Sequence, residues 1–133
     1  MEKECLFCKR EDPRNRIFAE NELFYARWDN FPVSLGHAEI VPKRHVEKTF
    51  DLTREELIAK QDLLLKVRDI IGEKHNTDDY TIGENEGELA GRTIPHVHIH
   101  VIPRYKGDVE NPRGGIRNII PGKGDYTQSA KSS

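Results

Sequence analysis

At 133 residues the chain is sized for one domain with one core. Hydrophobic residues make up 35% and charged residues 33%, so the core is thin, and help from a metal or a partner subunit is expected. A formal net charge of −2 argues against a general nucleic-acid binder, which needs a strong positive field. The start, Met1-Glu2-Lys3-Glu4, is too polar for a secretory signal, and no apolar run approaches the ~20 residues that span a bilayer. A cytoplasmic location without membrane contact is therefore expected.

In chain order, Cys5-x-x-Cys8 comes first. In a reducing setting this spacing suits metal ligands or a redox dithiol better than a structural disulfide. Arg16–Glu20 and Leu23–Trp28 carry Ile17, Phe18, Phe24, Tyr25 and Trp28 around Asn21-Glu22, which predicts a β-hairpin. After the turn-rich stretch 29–36, His37–Pro42 alternates apolar and polar residues as a third strand. Thr53 and Glu56 form a capping-box pattern, Leu57, Leu64 and Ile71 repeat at seven, and Leu63, Val67 and Ile70 fill the same half, so one long helix is predicted over Thr53–Lys74. Tyr80–Glu84 reads as a short strand, Asn85–Gly91 as a loop and His96–Ile102 as the last strand, closed by Pro103. Beyond it, glycines and prolines punctuate a mostly looped tail, with disorder expected over 129–133 and one domain over 1–128. Strands broken by a single long helix predict an α+β fold in which the helix covers one face of an antiparallel sheet.

The run His96-Val97-His98-Ile99-His100-Val101 puts three imidazoles on one face of a strand and three apolar side chains on the other. Three histidines in alternation add little to packing and repel one another once protonated, so the pattern points to chemistry. A single metal held by all three is disfavoured, because at ~3.3 Å per residue the outer two stand ~13 Å apart. A division of labour fits better, with one end of the row serving a structural metal and the remaining imidazoles reacting. Neutral imidazole is a good nucleophile near neutral pH, and the nitrogen–phosphorus bond that it forms is labile, which suits nucleotidyl transfer. For the cysteine pair, a closed zinc site needs two more ligands, and His45 and His96 are the candidates whose elements could converge on it. Unligated thiols or a redox dithiol remain the alternative. Residues 104–133 hold six Lys/Arg against three acids, which reads either as a solvated surface or as a flap for an anionic ligand.

The run from Gly91 to Arg104, Gly-Arg-Thr-Ile-Pro-His-Val-His-Ile-His-Val-Ile-Pro-Arg, closely resembles the signature of the histidine-triad (HIT) family and its flanks. Gly36-His37, followed by a strand that ends in Pro42-Lys43-Arg44-His45, resembles the family's second signature. The resemblance extends over about residues 5–108. It implies a sheet of about five antiparallel strands with helices, assembled as a homodimer. It also implies that His98 is the nucleophile and that His37 and His100 position the phosphate and assist the leaving group. By the same resemblance Asp29 meets the ribose hydroxyls, Asn85 and Thr93 contact phosphate, and Cys5, Cys8, His45 and His96 bind structural zinc. Two features depart from the pattern. Arg92 stands where the family has Gln, which suggests a contact with a longer phosphate chain, and the tail after Asp108 matches no signature. The sequence thus implies a hydrolase of nucleoside 5′-phosphate derivatives, dinucleoside polyphosphates such as diadenosine tetraphosphate foremost. A nucleoside phosphoramidase, a phosphorylase and a zinc-stabilised nucleotide-binding scaffold are the competing readings.

Overall fold

The computed structural model describes residues 5–129, so of the stretch 129–133 expected to be disordered, Ser129 is described, at the end of a short helix, and residues 130–133 lie outside the described residues. The strands are β1 (Ile17–Glu20), β2 (Phe24–Trp28), β3 (Ala38–Pro42), β4 (Tyr80–Gly83) and β5 (Ile99–Pro103), with helices α1 (Arg54–His75) and α2 (Tyr126–Ser129). All neighbours pair antiparallel in the order β1-β2-β3-β5-β4, so β5 inserts between β3 and β4. The β1–β2 hairpin is closed by Asn21, whose Oδ1 accepts the backbone N–H groups of Leu23 at 3.1 Å and Phe24 at 2.9 Å. An Asx turn of this kind supplies the tight reversal.

Helix α1 begins at the capping box expected from sequence. Thr53 Oγ1 accepts from Glu56 N at 3.1 Å and Glu56 Oε1 accepts from Thr53 N at 2.9 Å. Asn76, with φ 55°, ends the helix in the left-handed region. Its buried stripe is Leu63, Val67 and Ile71, packed with Ala26, Ala38, Ile40, Ile99 and Val101 of the sheet. The sevenfold repeat from Leu57 is corrected here, since Leu57 is 46% exposed. In its place Glu56 faces inward, held by the cap and by Arg44 at 2.8 and 3.0 Å, and the stripe follows i, i+4, i+8.

The opposite face of the sheet is covered by the N-terminal segment. Cys5 and Phe7 pack there on Tyr25 and Val41, and the Tyr25 hydroxyl donates to the Phe7 carbonyl at 2.5 Å. The last strand also differs from expectation, because the ladder starts at Ile99 rather than His96. Ile40 pairs with Ile99, which places Val97 opposite Pro42, a residue with no N–H to donate. Val97 N–H instead bonds the Val46 carbonyl at 2.8 Å, so His96 and His98 sit on an extended approach just outside the ladder.

One cross-strand row on the N-terminal face consists of Arg27, Glu39 and His100, paired in register across β2, β3 and β5. Arg27 and Glu39 are 3% and 4% exposed and form a buried ion pair. Burial nonetheless outweighs the guanidinium and, with Asp29 adding like charge, raises the Glu39 pKa from 4.5 to about 7. A carboxyl raised in the folded state favours folding below its unfolded pKa and loses that contribution as pH rises through the folded value. Raising the pH from about 5 to about 9 should therefore lower the melting temperature of the natural chain more than that of Glu39→Gln, measured by calorimetry. Parallel pH dependence in the two proteins would show that Glu39 does not titrate in this range.

Candidate functional site

Three elements bring the cysteines to the start of the triad run. The turn at Leu6–Cys8 presents both thiols, the segment after β3 carries His45, and the approach to β5 carries His96. Cys5 Sγ lies 3.3 Å from His96 Nδ1, Cys8 Sγ lies 3.1 Å from His45 Nδ1 and 3.5 Å from His96 Nδ1, and the two Nδ1 atoms are 3.2 Å apart. All four donor atoms lie within 4.8 Å of one another. Zinc bonds of about 2.3 Å to sulfur and 2.0–2.1 Å to nitrogen place tetrahedral ligand atoms roughly 3.3–3.8 Å apart, so the set fits such an ion. His96 Nε2 meets the Pro42 carbonyl at 2.8 Å. A carbonyl only accepts, so Nε2 carries the proton and Nδ1 turns its lone pair toward the thiols, as a metal ligand requires. Burial lowers the His96 pKa to about 4, which keeps that lone pair free.

The same logic sets the tautomers of the remaining imidazoles. His98 Nδ1 stands 2.8 Å from the His96 carbonyl and must donate to it, which leaves the Nε2 lone pair open. The Val33 N–H donates to His37 Nδ1 at 3.2 Å, so His37 carries its proton on Nε2 and donates it to His100 Nδ1 at 2.9 Å. His100 Nδ1 is thereby an acceptor, and in the neutral ring its Nε2 bears the proton. Burial, followed by a backbone hydrogen bond that opposes it, takes the His98 pKa down to about 4. Burial also lowers His37 and His100, against the attraction of Asp29. The row therefore presents a bare nitrogen on His98 beside an N–H on His100, with ring centroids 5.2 Å apart.

These groups line a cavity of about 280 Å³ that also takes in Phe7, Asp29, Asn85, Arg92 and Thr93. Its size is near the lower end for small-molecule sites. His98 and His100 belong to this cavity, whereas His96 groups with the cysteines, so the row is divided between two sites. Asp29 Oδ1 accepts from the Phe31 N–H at 2.7 Å and its Oδ2 lies 3.4 Å from His37 Nε2. His37 stands behind His100 rather than in the cavity wall. Arg92 donates to the Glu47 carbonyl and lies 3.4 Å from Glu86, yet its positive charge also helps to keep His98 unprotonated. The pairing with Glu86 and the place in the cavity are thus both present, and the Arg92 side chain is only 10% exposed.

Among the wall residues that sequence reasoning missed are Phe7, Arg27 and Glu39. The signal for Glu39 was available, since it is two residues from His37 on one strand and so shares its face. Arg27 was legible only through its partner across the ladder. Phe7 was not legible, because its ring reaches His98, at 4.9 Å between centroids, only once the N-terminal segment has crossed the sheet.

A family model described as HIT domain matches residues 9–107. The chain is 39% identical over 98 residues to a bis(5′-adenosyl)-triphosphatase of Dictyostelium discoideum, covering 74% of this chain and 66% of that protein. It is 35% identical over 102 residues to an adenosine 5′-monophosphoramidase of Schizosaccharomyces pombe, covering 75% and 74% respectively. Among solved structures, a zinc-bound histidine triad family protein from Mycobacterium smegmatis superposes with a TM-score of 0.72 at 28% identity, over 84% of this chain and 82% of that one. The paired signatures, the strand order and a match across most of its length place one conclusion beyond the geometry: the chain belongs to the HIT domain family.

Proposed function

We propose that the protein hydrolyses nucleoside 5′-phosphate derivatives, dinucleoside polyphosphates foremost, through a nucleotidyl-histidine intermediate. The observation that carries this reading is the fixed tautomer of His98, whose Nε2 lone pair opens into the cavity while His100 offers an N–H beside it. In the first step His98 Nε2 attacks the α-phosphorus and forms a nitrogen–phosphorus bond. The bond from phosphorus to the leaving oxygen breaks, and His100 Nε2–H gives that oxygen its proton. Water then attacks the same phosphorus, returning a proton to His100 and the electron pair to His98. Asp29 receives the ribose hydroxyls, Asn85 and Thr93 the attacked phosphate, and Arg92 the phosphates beyond it. His37 holds the His100 ring by its 2.9 Å contact. The names of the triphosphatase and phosphoramidase relatives support this class of substrate. The phosphoramidase name also supports the second reading, in which the leaving group is an amine.

His98→Ala should lower kcat by at least about a thousandfold while nucleotide affinity changes only a few-fold, since a nucleophile acts in the transition state. Steady-state kinetics with calorimetric binding checks this, and a variant retaining more than about a tenth of the rate removes His98 from that role.

Cys5, Cys8, His45 and His96 would hold a structural zinc that ties the N-terminal segment to the triad run; bound there, the ion supplies a cross-link. Metal analysis of protein purified without chelator should find about one zinc per chain, and Cys8→Ser should lose it together with thermal stability. Metal-free protein with two freely reactive thiols would discard the site.

The Arg92 assignment separates the two leaving groups. Arg92→Gln should lower kcat/KM for diadenosine tetraphosphate about tenfold, as loss of a charged hydrogen bond implies, and affect adenosine phosphoramidate much less. Equal losses on both substrates would return Arg92 to its contacts with Glu47 and Glu86.

A further inference from the structure

The face that carries the triad does not end at His100. Ile102 and Arg104 follow it at the same parity, and register places Thr81 of β4 beside Ile102. Ala38 pairs with Val101, so His37, one residue earlier, stands beside Ile102 on the other flank. Over this end of the sheet lies the tail that matched no signature. It begins its contact next to the site, where Ile116 occupies the space that Gly83 leaves empty opposite His100; a Cβ on Gly83 would come within 3.0 Å of the Ile116 methyl. The tail is also closed on itself. Gly114, at φ +91°, approaches Gly124 so closely that a Cβ there would stand 1.9 Å from the Gly124 carbonyl oxygen. Arg117 donates to the Gly124 and Lys123 carbonyls, both at 3.2 Å, and lies over the Tyr126 ring.

Between the tail and the sheet is a cavity of about 520 Å³, walled by Thr81, Ile102, Arg104, Asp108, Val109 and Asn118 among others. The chemistry of its walls identifies the kind of occupant. Arg104 is spent on Asp108, through contacts of 2.8 and 3.0 Å, and Glu110 adds a second carboxylate to the lining. One cation against two carboxylates repels phosphate. Apolar Ile102 and Val109 beside amide and hydroxyl groups suit a neutral, flat group with polar edges. The flap for an anionic ligand, one reading of the basic tail, is not what these side chains form.

We propose that this cavity is the subsite for the leaving nucleoside of a dinucleoside polyphosphate, with the first nucleoside seated at the Phe7 end of the catalytic cavity. The proposal rests on the hydrolase reading above and deepens it. The cavity lies beyond His100, the group assigned to the leaving oxygen, because Ile102 in its wall is the next residue of β5 on the same face. A second nucleoside is neutral and sits at the far end of the phosphate chain. Its wall is preformed by residues 108–118, so little ordering is needed when it binds.

The test compares two probes on the intact protein, the α,β-methylene analogues of diadenosine tetraphosphate and of adenosine 5′-tetraphosphate, which differ in the second nucleoside. Calorimetry should show the dinucleotide binding at least about tenfold tighter, although the mononucleotide carries more negative charge. Val109→Trp, a substitution at a half-exposed loop position that fills the cavity, should remove this advantage and leave mononucleotide affinity within about twofold. Equal affinity for the two probes, or an equal loss on both in Val109→Trp, overturns the subsite and leaves the hydrolase reading standing. Failure of both probes to bind overturns the nucleotide reading and the subsite together.

Discussion

The site depends on the surroundings of one residue, His96, which is wholly buried at the start of the triad run. Its Nε2–H is committed to the Pro42 carbonyl, its Nδ1 faces both thiols and His45, and its own carbonyl takes the proton of His98. A single residue thus joins the metal-competent cluster, the end of β3 and the tautomer of the neighbouring imidazole. Moving it would leave His98 without the acceptor that keeps its reactive nitrogen bare. The departure of residues 96–98 from the ladder serves this arrangement. Inside a regular ladder the His96 carbonyl would be directed to a neighbouring strand, whereas here it meets the ring two residues on.

A second constraint is electrostatic. Buried imidazoles are kept neutral by loss of water, which costs a charged ring far more than a neutral one. Neutrality is what a nucleophile and a neutral proton donor need, and it also removes repulsion along the row. The Arg27–Glu39 pair lies in the same layer. It adds a buried carboxyl beside His100 whose pKa the same burial raises to about 7. The cavity wall sets Arg27 and Arg92 against Asp29 and Glu39, with the rings of His98 and His100 beside them.

The two faces of the sheet divide the work. Helix α1 and the odd-numbered side chains of β5 form the larger core. On the opposite face the N-terminal segment and the tail each cover one end, and His98 and His100 lie between them. The chain segment that matches the family holds the histidine row, and the segment beyond it walls the cavity over Thr81, Ile102 and Arg104.

Much of this was determined by sequence alone, because period and spacing are local properties. Alternation at period two placed three imidazoles on one face, the Thr53 and Glu56 pair marked the start of α1, and the two signatures assigned His37, His98 and His100 to one family. Strand count and order of elements followed from the same patterns. What remained was decided by contacts between residues distant in the chain. The start of β5 depends on Pro42 of another strand, the buried stripe of α1 on the ion pair from Arg44, and the pairing of Arg27 with Glu39 on register across a ladder. The split of the triad, with His96 among the cysteines and His98 and His100 in the cavity wall, required Cys5 and Cys8 to cross the sheet. The cavity under the tail required glycines to bring residues 114 and 124 together. Such distances are not encoded in any local window of sequence, since they arise only when the helix and the sheet have packed and the loops have closed around them.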